Sequence, residues 1–508
     1  MLKLSAILNL KLAWQRVKAD QYNDLLPDIL ELRDVDSDID ATIQSIKTRL
    51  DSGYQPSDAL RIDVPKKGYT LRPGSSLVPE DRLAYQALAD FISKWVEEPP
   101  REACFSYRIN KTNSKSKSMF QFWRKSWLQM KEKMRDLYES GQYCCLLRTD
   151  IAAYFEHVDH DILKTDILDP EIKRKDALEI LDRLLRKWAV SEARHLGLPQ
   201  GCDASSYFGN LYLREVDKIM IRNGFRYFRY SDEIFVFTKD KREARKAIKA
   251  LTHELRRLHL NLQDAKTEII EDPEKIQKEI GTEEDDKIRD FDYEFNRKAK
   301  KGEIDDAKEE IIKRYKEVTR NGRAKQIDLS KFRWCINKLT SIRCDKALHF
   351  LLSRLTELPF LADLYFKYVS LFIDRRKVKE QITTFLSSDD NLYDWQEMWL
   401  LLTLSKAKKA SGLDLTIIRD IARSSEKHWA SRVAAILVLG KLGDNTDRIW
   451  LKTSYPDEDN INVKRAIAIS SHNLQKAVRN RFYSKIERDS ESMTRLVKYL
   501  RQDNIETI

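Results

Sequence analysis

Glycine and proline are scarce in this chain of 508 residues, which contains 14 of the first and 12 of the second. Turns and irregular loops draw on both residues, so their scarcity predicts a folded protein in which helix dominates. Long apolar runs are missing too: no stretch approaches the roughly 18 uncharged apolar residues of a membrane span. The N-terminal stretch meets charge too often for the core of a signal peptide. We therefore predict a cytoplasmic protein without a membrane segment.

Cysteine is also sparse, and its spacing argues against a zinc-binding motif. None of the six cysteines forms the paired C-x-x-C spacing that such motifs use. We interpret them as reduced residues that mostly serve packing. They are Cys104, Cys144, Cys145, Cys202, Cys335 and Cys344.

Positive charge exceeds negative charge, with 92 Lys and Arg against 81 Asp and Glu, giving a net charge of +11. An excess of this sign suits a polyanionic partner such as nucleic acid. A mixed, heavily charged surface also keeps ordinary helical proteins soluble, so charge alone does not decide between the two.

Composition changes along the chain predict three regions. Residues 1–270 begin with helices and a short basic hairpin around 66–68, and alternate strand and helix from 143 onward. Residues 271–330 are charged and almost without core residues, which indicates a connector or a solvated helix. Residues 331–508 are apolar-periodic helix, and WASRVAAILVLGKLGD resembles one half of a HEAT-type repeat, with a plain helical bundle as the alternative.

Acidic residues interrupt two runs that otherwise read as buried strands. The stretch RYSDEIFVF places Asp232 and Glu233 side by side, and CCLLRTD ends on Asp150. Each could serve locally, Asp150 as a cap and the pair as a polar hairpin turn. Carboxylates from neighbouring strands can instead share divalent cations about 3.5 to 4 Å apart. Mg²⁺ suits so sparse a ligand set, because it takes one or two carboxylates together with substrate phosphates.

Four stretches in this order resemble motifs A to D of reverse transcriptases. They are Asp150 followed five residues later by Phe155, LPQG at 198–201, YSDE at 230–233 and NLQDAKTEI at 261–269. Upstream, RIDVPKKGYTLRPGSSLVPEDRLAYQAL resembles the basic finger region of that family, and FSYRINKTN resembles its approach to motif A. The resemblance covers about residues 50–270.

Beyond residue 270 neither a thumb nor a ribonuclease H module is recognisable. A long helical C-terminal region in their place resembles the abortive-infection (Abi) reverse transcriptases of bacterial anti-phage defence, especially the AbiK-like, shorter prophage-encoded members. Retrons are the nearest alternative, but the VTG triplet of their pattern does not follow YSDE. The resemblance implies an α/β plus all-α fold: reverse-transcriptase fingers and palm over 1–270, a charged helical connector over 271–330 and a HEAT-like helical domain over 331–508.

The resemblance also implies the metal ligands and catalytic groups. Asp150 and Asp232 would hold two Mg²⁺ ions, or Mn²⁺ in their place, and the carbonyl of Ile151 would complete the second site. Glu233 stands where most members carry a second Asp, and we expect activity to be retained because Glu keeps the charge. Lys266 would act as general acid to pyrophosphate, with a surface lysine as the alternative.

A second group of residues is expected to bind the nucleotide. Phe155 falls where the family places an aromatic residue that crowds a ribose 2′-hydroxyl, which predicts a preference for deoxynucleotides; a plain core Phe is the alternative. Gln200 and Gly201 would line the pocket. Arg72, with Lys67 nearby, would clamp the triphosphate, because a guanidinium forks onto phosphate oxygens.

The Abi resemblance implies template-independent, protein-primed DNA synthesis from deoxynucleoside triphosphates, leaving single-stranded DNA covalently attached to a homo-oligomer, either a trimer or a hexamer. A tyrosine hydroxyl suits the priming role, and the candidates outside the A and C strands are Tyr22, Tyr54, Tyr69 and Tyr107. Two alternatives stay open. One is an RNA-templated reverse transcriptase of retron or intron type, and the other is a nucleic-acid-binding scaffold with an inactive palm, whose aromatics around 120–127 would stack on single strands.

Overall fold

The computed structural model describes residues 2–30, 32–111, 115–190, 195–281, 305–320 and 327–502, together with Asp292, Phe295 and Arg297. The chain forms two compact units that are interleaved along the sequence. The first comprises Met1–Pro27, Ile39–Arg61 and Pro73–Asp290, and the second comprises Asp28–Asp38, Ile62–Arg72 and Phe291–Ile508. Parts of the predicted connector, among them 282–291, 298–304 and 321–326, lie outside the described residues. The domain boundaries at 270 and 330 remain predictions.

Helix dominates the secondary structure, as the scarcity of glycine and proline predicts. The helices are α1 Leu4–Ile7, α2 Leu10–Asp20, α3 Arg33–Ser37, α4 Ile39–Ser52, α5 Pro79–Ile92, α6 Trp123–Glu139, α7 His160–Ile162, α8 Lys175–Lys187, α9 Asp203–Tyr212, α10 Arg214–Arg222, α11 Lys241–Arg257, α12 Pro273–Ile280, α13 Asp305–Thr319, α14 Leu329–Ser341, α15 Leu348–Leu352, α16 Ala362–Tyr368, α17 Arg376–Leu386, α18 Asp394–Ser405, α19 Leu415–Arg423, α20 Trp429–Leu442, α21 Asn445–Ser454, α22 Ile461–Ser470, α23 Lys476–Ile486 and α24 Glu491–Leu500. None of the helices in the described residues combines the length and the apolar character needed to cross a bilayer.

In the described residues six strands form two sheets, of which the larger is antiparallel. The strands are β1 Leu60–Pro65, β2 Leu71–Ser76, β3 Cys145–Asp150, β4 Arg226–Tyr230, β5 Glu233–Thr238 and β6 Glu268–Ile270. The pair β1 and β2 encloses the basic turn that the sequence predicts, and the other four are ordered β4-β5-β3-β6. Strands β3 and β5 pair from Cys145, which lies opposite Thr238, to Asp150, which lies opposite Glu233. The end of β3 therefore lies beside the start of β5.

One face of the four-stranded sheet packs against α6 and α12. Met130 and Met134 of α6 join Ile276 and Ile280 of α12 in a buried cluster with strand residues such as Phe237. The expectation that residues 271–330 are almost without core residues is therefore wrong for α12. The physical reason is that two isoleucines four positions apart lie on one helix face, and this short stripe is enough to bury the helix.

The second unit is built from helices in the described residues beyond 305. Helix α20 packs between α18 and α22, and every residue from Val433 to Gly440 is buried. A helix that is apolar all round belongs in the centre of a helical domain. A buried ion pair joins the N-terminal segment of this unit to α22, because Arg465 Nη1 donates to Asp34 Oδ2 at 2.8 Å. The HEAT-like character of the unit remains a prediction.

All six cysteines are free thiols. Five of them are buried, and Cys144, which immediately precedes β3, is exposed. The expectation of reduced cysteines that mostly serve packing is therefore confirmed for five of the six.

Candidate active site

A two-residue turn, Ser231–Asp232, joins β4 to β5 and carries the first of the adjacent acids. Ser231 adopts φ 57°, and tight hairpin turns require a positive φ at this first central position. Glu233 then begins β5 directly opposite Asp150. The predicted buried hairpin is present, and its turn brings Asp232 to the end of β3.

The carboxyls of Asp150 and Asp232 lie close enough to interact. Burial, and then the neighbouring Asp150 carboxyl, raise the pKa of Asp232 to about 6. Two carboxylates in a partly buried site repel each other, and a divalent cation between them relieves that repulsion. Oδ1 of Asp150 is buried and accepts no hydrogen bond from the residues that the structure describes. An unpaired, buried carboxylate oxygen facing a second acid fits a cation ligand.

No ready-made metal cage exists in the described part of the chain, where three or more His, Cys, Asp and Glu side chains never converge on one point. Mg²⁺ does not need such a cage, since it binds through one or two carboxylates and completes its octahedron with water and substrate phosphate. The donor set at Asp150 and Asp232 therefore fits Mg²⁺ and would not by itself retain zinc.

The backbone around Ile151 directs its carbonyl toward the same place. The Gln263 N–H donates to the Asp150 carbonyl at 2.7 Å, which makes Ile151 and Leu262 a non-hydrogen-bonded antiparallel pair. In such a pair the N–H and C=O of each residue point away from the partner. The carbonyl of Ile151 thus faces the β5 side of β3, where Asp232 lies.

Lys266 contacts the carboxylate of Asp150 directly. Its Nζ forms an ion pair with Oδ2 of Asp150, and its side chain is 62% exposed. Burial raises the pKa of Glu233, and the positive charge of Arg148 opposes that rise. Lys266 thus balances the charge of Asp150. The roles expected for Lys266 and Glu233 in catalysis remain predictions.

A cavity of about 750 Å³ opens in the same unit. The predicted pocket residues Phe155, Gln200 and Gly201 line it, and so does Tyr230, which precedes the Ser231–Asp232 turn. The other described residues that line the cavity are Tyr22, Tyr107, Ser118, Phe120, Gln121, Phe122, Trp123, Ser126, Asp203 and Ser206. A volume of this size accommodates a nucleotide. The structure therefore brings together the three pocket residues that were predicted from the LPQG and motif A stretches.

Gly201 and Gly209 allow close approach around this cavity. Gly201 adopts φ 111°, a backbone conformation that residues with a Cβ rarely adopt. A Cβ on Gly209 would lie 3.2 Å from Cε1 of Phe155. The small residue in α9 thus lets the ring of Phe155 sit against the helix, and this contact fixes the ring at the cavity wall.

A buried polar network forms hydrogen bonds to the backbone of the turn. The guanidinium of Arg229 pairs with Asp217 at 2.6 Å, and both side chains are fully buried. Arg229 also donates to Asn210 Oδ1 at 2.9 Å and to the Ser231 carbonyl at 3.0 Å. The Ser231 N–H in turn donates to Ser106 Oγ at 2.8 Å. Both backbone groups of Ser231 are therefore satisfied by a rigid, desolvated network.

The sequence pattern does not predict this network. The available signals were Arg229, a charged residue inside a run of β-formers, and Asn210, a polar residue within the apolar helix α9. Charged residues are almost never fully buried unless paired, so an Arg in a buried strand indicates a buried acid. Neither signal identifies Asp217 or Ser106 as the partner.

Lys67 and Arg72 belong to the second unit, unlike the acids and the cavity. Nζ of Lys67 donates to the carbonyl of Ile327 at 3.1 Å. This bond gives Lys67 a partner within its own unit. The triphosphate clamp assigned to Lys67 and Arg72 remains a prediction.

Asp150 lies at the end of β3, and Asp232 lies in the turn before β5, two residues after Tyr230, which lines the nucleotide-sized cavity. Together they define a candidate nucleotidyl-transfer site. Residues 64–292 match the family model for reverse transcriptase (RNA-dependent DNA polymerase). The matched range contains all four strands of the larger sheet and the LPQG turn, and covers a little under half of the chain. No curated protein matches the chain. By this similarity the chain carries a reverse transcriptase domain, which supports nucleotidyltransferase activity of the polymerase type.

Proposed function

We propose that this protein is an anti-phage abortive-infection polymerase that makes DNA without a template and primes synthesis from one of its own hydroxyls. The observation that carries the catalytic part is the pairing of Asp150 with Asp232 beside the cavity. The defence role, a trimeric or hexameric assembly and a cytoplasmic location belong to the proposal through the resemblance of the motifs to Abi enzymes.

Asp150, Asp232 and the carbonyl of Ile151 would hold two Mg²⁺ ions, with Mn²⁺ as a substitute. Bound there, the ions would lower the pKa of the attacking hydroxyl and neutralise charge on the triphosphate. Lys266 reaches Asp150 on a long, mostly exposed stem. This flexibility lets its ammonium turn to the departing pyrophosphate and donate a proton as charge builds.

The cavity residues select and orient the nucleotide. Phe155, held against α9, crowds the position of a ribose 2′-hydroxyl and so favours deoxynucleotides. Gln200 and Gly201 present side chain and backbone to the incoming nucleotide, and the positive φ of Gly201 allows the main chain to approach it closely.

Among the four candidate tyrosines, Tyr22 is best placed to prime synthesis. Tyr22 lines the cavity and is 75% exposed. Tyr54 is fully buried and donates its hydroxyl to Asp81 at 2.7 Å, and burial raises the pKa of Tyr107, which disfavours the phenolate in both. Tyr69 belongs to the second unit. We therefore propose Tyr22 as the residue that receives the first nucleotide.

An RNA-templated reverse transcriptase is the second candidate. The observation that favours it is the description of the matched family, which names an RNA-dependent DNA polymerase. The two candidates share the same metal site and differ in whether an added template sets the length and sequence of the product.

The deciding experiment supplies labelled deoxynucleotides and Mg²⁺ to the full chain without template or primer. We expect label that migrates with the protein on a denaturing gel and shifts after protease. Asp232→Asn should abolish it, because the amide keeps the shape and removes the charge. Tyr22→Phe should abolish attachment and leave extension of a supplied primer intact, whereas the matched change Tyr69→Phe should alter neither.

Other outcomes assign the function differently. Synthesis that starts only when RNA is added, with products copied from it, establishes the templated enzyme. Synthesis that is insensitive to Asp232→Asn places the chemistry elsewhere. The absence of synthesis under both conditions, with nucleic-acid binding retained, establishes a scaffold with an inactive palm.

A further inference from the structure

A second cavity lies in the C-terminal helical unit, outside the part of the chain that matches reverse transcriptases. It has a volume of about 630 Å³ and is formed by the last turn of α21, the following turn Tyr455–Asp457, the first turn of α22 and one face of α23. A cleft of this size is within the range of ligand-binding sites.

Four cations surround the cavity: Lys452, Lys464, Arg481 and Lys485. None of the four forms an ion pair with the residues that the structure describes. The one acid among the described lining residues, Asp489, accepts the hydroxyl of Tyr455 at 2.8 Å. Like charges gathered around one concavity create a positive potential that attracts an anion.

The floor between the cations is apolar. Val478, Phe482 and Ile486 recur four positions apart on α23. Val478 is 37% exposed, whereas Phe482 and Ile486 are buried, so Val478 supplies the exposed apolar surface of the three. Arg481 and Lys485 directly precede Phe482 and Ile486, so two cations lie four positions apart beside this apolar row. A ligand that matches the groove carries repeated negative charge together with apolar groups.

We propose that this groove, defined by Lys452, Lys464, Arg481 and Lys485 around Val478, binds single-stranded nucleic acid. The phosphates would lie along the cationic row, and sugars and bases would cover the apolar floor. An acidic peptide would satisfy the charge and leave the exposed side chain of Val478 uncovered, so a polynucleotide fits better. The site does not depend on the polymerase chemistry, because it would hold a strand whether or not Asp150 and Asp232 are active.

The test uses the full chain and a labelled oligodeoxythymidylate that carries 5-iodouracil. We expect ultraviolet cross-links to peptides of α23, and binding measured by fluorescence anisotropy that weakens about tenfold in the double variant Arg481→Glu, Lys485→Glu. The matched control, Lys346→Glu with Lys377→Glu, makes two exposed positions of the same unit acidic. It should weaken binding less than threefold.

The Asp232→Asn variant separates this proposal from the proposed function, since its α23 cross-link should persist when synthesis is lost. Cross-links confined to residues 1–290, or equal loss of affinity in the two double variants, would overturn the groove as a nucleic-acid site. Displacement of the oligonucleotide from the groove by polyglutamate of equal charge would overturn it in favour of a site that reads charge alone.

Discussion

Ser231 is fixed at both of its backbone groups by side chains that are themselves buried. Its N–H donates to Ser106 Oγ, and its carbonyl accepts from Arg229. These two hydrogen bonds restrict the backbone at Ser231 and therefore also limit the movement of Asp232, the next residue. Carboxylates that must hold cations gain most from a backbone that cannot shift, because small displacements are costly in a metal site.

Ser106→Ala should loosen the catalytic turn without unfolding the unit. The change leaves the Ser231 N–H buried without its acceptor, at a cost of about 1–3 kcal/mol. Amide hydrogen exchange at Ser231 should therefore accelerate, and the turnover number should fall while the KM for deoxynucleotide stays near its wild-type value.

Ser205→Ala is the matched control for this prediction. Ser205 is equally buried, and its hydroxyl lies 3.1 Å from that of Tyr85, away from the turn. It should lower the melting temperature without changing exchange at Ser231. Equal acceleration of exchange in both variants would mean that Ser106 stabilises the unit generally and does not position the turn.

Asp203, on the cavity wall, makes the protein less stable as pH rises. Burial, and then the neighbouring Asp20, raise the pKa of its carboxyl from 3.8 to about 7. The folded state therefore favours the protonated acid. The protonated Asp203 carboxyl therefore contributes to the stability of the folded state below about pH 4, and this contribution is lost as pH rises toward 7.

Asp203→Asn should consequently raise the melting temperature at pH 8 and leave it nearly unchanged at pH 4. The gain at pH 8 should correspond to roughly 1–3 kcal/mol, because the amide needs no ionisation in the buried site. Thermal unfolding at the two pH values measures the difference. An offset of the same size at both pH values would contradict the titration argument.

At the scale of single residues, the sequence identified the acids and missed their support. Asp150 and Asp232 interrupt runs of β-formers, and this pattern is visible without a structure. Ser106 and Asn210 carry no such pattern, because a buried hydroxyl or amide is recognised only by the partner that it meets. The contact between Lys266 and Asp150 likewise depends on how β6 returns to β3.

At the scale of elements, close helix packing in the second unit depends on one glycine. A Cβ on Gly440 of α20 would lie 2.3 Å from Cβ and 2.7 Å from Cα of Ser470 in α22. A contact with the main chain of the neighbouring helix cannot be relieved by rotating a side chain. The two helices can approach this closely only because residue 440 has no side chain.

Gly440→Ala should destabilise the second unit. Alanine favours helix over glycine by about 1 kcal/mol, whereas forcing α20 away from α22 costs about 1–3 kcal/mol and disturbs the bond from Ser470 Oγ to the Ile436 carbonyl. We expect a lower melting temperature for the unit. Gly68→Ala, where an added Cβ meets nothing within 4 Å, should change it by less than about 0.5 kcal/mol, and a stabilising effect of Gly440→Ala would contradict the packing argument.

Most elements could be predicted from periodicity, and the exceptions have physical causes. The hairpin of β4 and β5 and the apolar helix α20 each repeat one pattern over their full length. Helix α12 carries only Ile276 and Ile280 among charged residues, so local composition indicated a connector although tertiary packing buries both.

At the scale of the whole molecule, the sequence predicted consecutive regions, and the compact units are interleaved instead. Residues 28–38 and 62–72 belong with the C-terminal helices. Composition cannot reveal this arrangement, because it depends on pairs such as Asp34 and Arg465, which lie 431 positions apart. The match to reverse transcriptases, over residues 64–292, lies mostly in the first unit and includes residues 64–72 of the second.

The interleaving determines when each unit can be completed during translation. A ribosome that adds roughly 5–20 residues per second separates the emergence of Asp34 from that of Arg465 by roughly 20–90 s. Throughout that interval Asp34 lacks the guanidinium of Arg465 with which it pairs in the folded unit. We therefore expect the second unit to reach its native packing only after the last helices have been made.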